Sequence, residues 1–193
     1  PGAHDLVIHS LALHWANDPV GQLIQCRHAL ENDGLLLTAS LGGQTLTELR
    51  ASLAQAETEV TGGLSPRVAP MAEIRDLGAL LQRAGFALPV ADCLPLSVSY
   101  ETAFHLMNDL KAMGERNALA ARQKSFTRRA VFQKAAEIYH SNFRDGDRIK
   151  ATFELIFMTG WAPDSSQPKP LRPGSADQRL ADALGTKESS LPD

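Results

Sequence analysis

H-D-L-V-I-H-S-L-A-L-H-W-A-N-D-P, running from His4 to Pro19, sets three apolar side chains in succession: Leu6, Val7 and Ile8. A short continuous apolar run predicts a strand covered on both faces. Asn17-Asp18-Pro19 then marks a helix start, with Pro19 where a missing N–H costs nothing. Val20, Leu23, Cys26 and Leu30 recur at spacings of three and four, which gives that helix one apolar face. Glu31-Asn32-Asp33-Gly34 stops it. Leu35, Leu36, Leu37, Ala39 and Leu41 form a second apolar run, and Gly42-Gly43 leads into a helix over Thr45–Val60. Strand, helix, strand, helix predicts a parallel sheet with right-handed crossovers, so the expected fold class is α/β.

Further along, a loop runs from Thr61 to Pro70, and Met71–Ala84 reads as a helix with Ile74, Leu77 and Leu81 on one face. Pro89–Tyr100 alternates and predicts a strand with Leu94, Leu96, Val98 and Tyr100 on one side. Thr102–Gly114 and Thr127–His140 read as helices. Ala151–Trp161 reads as a strand, with Phe153, Leu155 and Phe157 opposite Ile156 and Met158. Five of the 11 prolines lie from Pro163 onward, so a Pro/Ser-rich tail is expected, with a short helix at Ala176–Leu184. The expected organisation is an α/β domain over 1–162, with a helical insertion at about 101–145, and a tail over 163–193.

The chain has 193 residues, 44% hydrophobic and 21% charged, as soluble globular domains do. Nineteen basic and 22 acidic residues give a net charge of −3, which supplies no electrostatic reason to expect nucleic acid. No apolar run approaches the length of a membrane span. Two cysteines, Cys26 and Cys93, are too few for a disulfide framework, so a reducing compartment is expected. The first residue is Pro1, and no signal peptide follows it; the expectation is a chain that begins partway through a longer one.

Open α/β sheets bind ligands beyond the carboxyl ends of their strands, which is where His9-Ser10-Leu11-Ala12-Leu13-His14-Trp15 falls. His14 and Trp15 could equally pack the strand–helix corner. Gly42-Gly43, before a helix, could cradle an anion or form an ordinary tight turn. Arg67, in Ser65-Pro66-Arg67, could hold a carboxylate or phosphate, or stand exposed without a partner. Glu57, Glu59, Glu73 and Asp76 have spacings that suit solvated helix faces. The six histidines show no zinc spacing, and no metal is expected.

D-L-V-I-H-S-L-A-L-H-W-A-N-D-P (Asp5–Pro19) resembles the fourth strand and following loop of class I S-adenosylmethionine-dependent methyltransferases. L-E-N-D-G-L-L-L-T-A-S-L-G-G (Leu30–Gly43) is similar to their fifth strand, in the group with the malonyl-carrier-protein methyltransferase of biotin synthesis. Gly42–Arg50, Ser65–Pro70, Glu73–Phe86 and Gln167–Ala176 resemble the methyltransferase-like assembly factors of respiratory complex I and their bacterial relatives. The family's Gly-rich cofactor loop and its ribose-binding acid are not in this chain. The resemblance therefore implies the C-terminal part of a Rossmann-like sheet, with helices inserted before the last strand.

The resemblance further implies S-adenosylmethionine as the cofactor of the intact protein. His9, Ser10, Leu11 and His14 would lie along the cofactor, and Trp15 and Arg67 would face the substrate, a protein or small-molecule methyl acceptor. It implies methyl transfer. The alternative is an assembly factor acting as a protein-arginine hydroxylase or as a scaffold without catalysis. The compartment would be the bacterial cytoplasm or the mitochondrial matrix. The apolar first strand lacks the neighbour that the family places beside it, so a homo-oligomer with Asp5–His14 in its interface is expected.

Overall fold

The computed structural model describes residues 2–168 and 180–187. Two compact units emerge, Pro1–Pro163 and Asp164–Asp193. In the second, the described part includes a five-residue helix, α6 (Leu180–Leu184); the rest of the expected Ala176–Leu184 helix, and most of the expected tail, lie outside the described residues.

In the first unit, β1 (His4–Ser10) runs into a single 3-10 turn (Leu13–Trp15) and then α1 (Pro19–Ala29). The helix starts as its sequence predicts: the Asp18 carboxylate accepts from the Gly21 N–H at 2.9 Å, and Pro19 opens the first turn. Leu23 is fully buried on its inner face. The strand that follows, β2 (Leu30–Leu41), begins earlier than expected. Glu31–Gly34 does not form a separating turn but is drawn into the strand. Asp33 takes a left-handed φ of 62°, and the pairing with β1 jumps from His4↔Leu30 to Leu6↔Leu35, so the turn residues are spent as a bulge.

Helices α2 (Thr47–Thr61) and α3 (Ile74–Arg83) precede β3 (Ala87–Tyr100). The inserted segment carries α4 (Ala103–Ala112) and α5 (Arg129–Phe143), and a two-residue β4 (Arg144–Asp145) leads into β5 (Arg148–Trp161). The sheet order is β1-β2-β5-β3, with β4 on β5. Only β1 and β2 are parallel; β5 runs antiparallel to β2, β3 and β4. The parallel pairing expected from the first four elements holds for β1 and β2, and the later strands make the sheet mixed. After β3 the chain returns through α4 and α5 and a tight β4–β5 reversal, and β5 fills the slot between β2 and β3 from the opposite direction.

Each face of the sheet buries its own cluster. On one, Leu36, Ile156 and Met158 pack with Leu23 of α1 and Leu77 and Leu81 of α3. On the other, Ile149, Ala151 and Phe153 pack under α2, α4 and α5, with the buried Tyr139 donating its hydroxyl to the Lys150 carbonyl at 2.9 Å. The register carries this second face on through Leu6, Ile8, Phe157, Val90 and Leu94, all exposed. Leu94, Leu96 and Val98 do share one side of β3, as the alternation predicts, but that side is largely open. Leu36 has no exposed surface. Leu36→Ala is expected to cost about 3 kcal/mol through lost burial and the cavity left behind, a fall of about 10 °C in melting temperature for a unit of this size. Calorimetry checks it; an unchanged melting temperature would show that the sheet is not held by this face.

Candidate functional site

β1 ends at Ser10, and the chain turns through Leu11, whose φ of 49° lies in the left-handed region. The Leu11 N–H donates to the Ala39 carbonyl at 2.8 Å, which prolongs the β1–β2 ladder by one step. Leu13 is buried in the α1/α3 cluster. That anchor fixes the 3-10 turn, and the two side chains after it meet a residue a hundred positions along the chain. His14 Nε2 lies 3.1 Å from Oε1 of Glu115, and the Trp15 indole N–H donates to the same oxygen at 3.3 Å. The two rings tilt at 44°, centroids 5.7 Å apart. Glu115 follows α4 directly, beyond Gly114, whose φ of 86° lets the chain turn there. The His14 side chain is only 6% exposed, and its Nδ1 is buried without a partner.

His9 faces α1, its Nε2 2.6 Å from the Gln22 amide nitrogen. Its Nδ1 is also buried without a partner, as is the hydroxyl of Thr38, its register neighbour on β2. Ser10 and Leu11 are exposed. The residues expected along a cofactor therefore divide: Ser10 and Leu11 face outward, whereas His9 and His14 are turned into contacts within the protein. Trp15 joins His14.

Arg67 does not join them; it is not exposed without a partner, and the carboxylate it holds is one of the protein's own. Its guanidinium grips the Glu57 carboxylate with two hydrogen bonds, Nη2 to Oε1 at 2.7 Å and Nε to Oε2 at 3.1 Å. It also donates to Thr127 and Gln123, and the Ser65 hydroxyl and N–H complete the shell around Glu57. Glu57, expected on a solvated face, is buried. Burial alone would raise its pKa, but hydrogen bonds from Arg67 and Ser65 hold it below the ordinary carboxylate range. Asn117 donates to the Pro66 carbonyl at 2.8 Å. The segment between α4 and α5 thus fastens to the β1 end through Glu115 and to the α2–α3 loop through Asn117, Gln123 and Thr127.

The Gly42-Gly43 turn settles on its structural reading. A Cβ on Gly42 would collide with the Glu154 carboxylate, and one on Gly43 with that of Glu73. Glu154 accepts from the Gln44 N–H at 3.1 Å, so a carboxylate of the protein itself stands where an anion was considered. Glu73, unlike Glu57, keeps the exposed position expected of it. Glu154 also accepts from the Cys93 thiol at 3.2 Å, and that bond, with burial and the nearby acids, pushes the thiol pKa up. No group of three metal-ligating side chains gathers among the described residues.

No protein-family model matches the chain. It is 43% identical over 189 residues to the mitochondrial arginine-hydroxylase NDUFAF5 of Homo sapiens, covering 97% of this chain and 54% of that protein. It is 38% identical to the malonyl-[acyl-carrier protein] O-methyltransferase of Laribacter hongkongensis, over 84% of this chain and 52% of that protein. The chain spans about half the length of the curated relatives it matches. Among solved structures, a putative methyltransferase from Bacillus halodurans aligns at a TM-score of 0.48 and 16% identity, over 83% of this chain and 70% of that one.

Proposed function

Because the chain belongs to the class I S-adenosylmethionine-dependent methyltransferase-like family, we propose that it supplies the substrate-side half of such a domain. In the intact protein, methyl transfer to a protein or small-molecule acceptor would take place beyond the carboxyl end of β1. The observation that carries this reading is the cluster of His14, Trp15 and Glu115. It lies at the strand end where open α/β sheets bind ligands, with the inserted segment fastened to it.

The residues present fit one wall of a cofactor site. Ser10 and Leu11 are exposed at that strand end and would line the methionine side; the cofactor, when bound, supplies an already activated methyl group. Trp15 would face the acceptor, and the inserted segment would exclude water from it. Methyl transfer then asks the protein chiefly to align two atoms, so the want of a catalytic dyad does not count against it. The Gly-rich loop and the ribose-binding acid would come from elsewhere in the intact protein.

A second reading is favoured by the higher identity, over more of the chain, to the relative named an arginine-hydroxylase. Here the same wall and lid would present a protein arginine, with complex I assembly as the setting that the sequence resemblance implies. The compartment would be the mitochondrial matrix, in line with relatives named mitochondrial, or a bacterial cytoplasm. No described helix is long and apolar enough to cross a membrane. Accurate-mass analysis of candidate acceptor proteins after incubation with the intact protein separates the readings: an added methyl supports the first, an added oxygen the second, and neither product overturns both. The 193-residue chain by itself is expected not to bind S-adenosylmethionine, because only one wall is present. Calorimetric titration checks this, and saturable micromolar binding would show that the cradle is not needed.

A further inference from the structure

Two donors converge on one oxygen of Glu115. The indole N–H can only donate, so Oε1 serves it as an acceptor. His14 Nε2 faces the same oxygen at 3.1 Å. A bare imidazole nitrogen there would set its lone pair against those of the carboxylate; a nitrogen bearing hydrogen makes a charge-assisted bond instead. The hydrogen therefore belongs on Nε2, and in the neutral ring Nδ1 is the nitrogen with the lone pair. Nδ1 is also the buried atom with no partner. Buried polar groups are nearly always paired, and an exception calls for a reason.

We infer that Glu115 is a positioning residue. It holds His14 as the Nε2–H tautomer and so keeps Nδ1 bare, at the carboxyl end of β1, as an acceptor for a hydrogen that the substrate brings. Trp15 braces the same carboxylate, and Leu13, buried beneath, fixes the turn that carries both rings. An acceptor group with its own N–H or O–H suits a bare nitrogen. An ionised carboxylate, offering only lone pairs, does not. Within the two readings above, this favours a nitrogen or hydroxyl centre over a carboxylate as the group acted upon.

The inference rests on placing the reacting centre beyond β1, but its test needs neither cofactor nor acceptor. Either can therefore fail while the other stands. Nitrogen-15 spectra of the histidine rings in the 193-residue chain, with the His14 signals assigned from a His14→Gln variant, read the tautomer directly. The expected result is a protonated Nε2 whose hydrogen exchanges slowly, with Nδ1 resonating as a bare nitrogen. In Glu115→Ala both nitrogens should move toward averaged positions, and the slow proton should be lost, while the other five histidines are unchanged. Trp15→Phe, which leaves the carboxylate in place, should keep the wild-type pattern. A proton on Nδ1 in the wild type overturns the inference, whether or not Glu115→Ala folds. So does a wild-type ring pattern that persists in a folded Glu115→Ala.

Discussion

Replacing Arg67 with alanine is expected to lower the melting temperature of the chain by about 10 °C or more. The Glu57 and Arg67 side chains are 5% and 14% exposed, so the pair is largely out of water. Removing one partner strands a buried carboxylate, a loss of about 3–5 kcal/mol, and each kcal/mol shifts the melting temperature by roughly 2–4 °C at this chain length. Arg67→Lys should recover only part, since an ammonium cannot reproduce the two-pronged grip. The pH dependence has a definite sign. The folded-state pKa of Glu57 lies below its ordinary value. The stability it contributes is therefore fully present above the ordinary carboxylate pKa and is lost as pH falls through the lowered one. The gap between wild type and Arg67→Ala should narrow across that acid window. Differential scanning calorimetry over a pH series measures it; a gap that is absent at neutral pH, or that widens in acid, would rule out this account.

The second large effect concerns association. β1 pairs on one side with β2, and among the described residues no strand pairs with its other edge. An open edge offers a row of unpaired N–H and C=O groups, and neither proline nor lysine blunts it between Asp5 and Ser10. Ile8 is 67% exposed, and the apolar surface continues across the sheet to Phe157 and Val90. The 193-residue chain is expected to form dimers or larger species at tens of micromolar, roughly the range where exposed apolar edges pair. Ile8→Lys should return it to a monomer, because a charge on that face cannot be covered. Light scattering on both proteins decides. A wild-type chain that stays monomeric would mean that the edge tolerates water.

Much of this fold is legible in the sequence because its signals are local. Asn17-Asp18-Pro19 caps and starts α1 wherever the rest of the chain goes, and the alternation of Ile156 and Met158 against Phe153 and Leu155 survives as two faces of β5. What is not legible is set by distant residues. Nothing near Glu31–Gly34 says that β1 will pull those turn residues into a bulge. The direction of β5 follows from the path of α4 and α5, not from its own pattern. The same holds at the candidate site: His14 and Trp15 stand out by their place after an apolar strand, but Glu115 sits in an unpatterned stretch, and no spacing rule connects positions a hundred residues apart. Arg67 was legible as a loop arginine; that Glu57, ten residues earlier on a helix, would turn inward to meet it was not.

The central place of β5 bears on how the chain can assemble in time. Among the described residues, three of the four strand pairings need this one element, the last of those strands in chain order. Until Arg148–Trp161 has left the ribosome, β2 and β3 have no neighbour between them, and only the β1–β2 ladder can zip from residues already at hand. Such late, long-range pairing is slow because the loop must close before any contact repays it. During that interval Leu36 and Leu37 on one strand and Val90 and Leu94 on the other lie open to aggregation or to holding factors. Synthesis halted just before Arg148 would leave β2 and β3 each without the neighbour that β5 supplies.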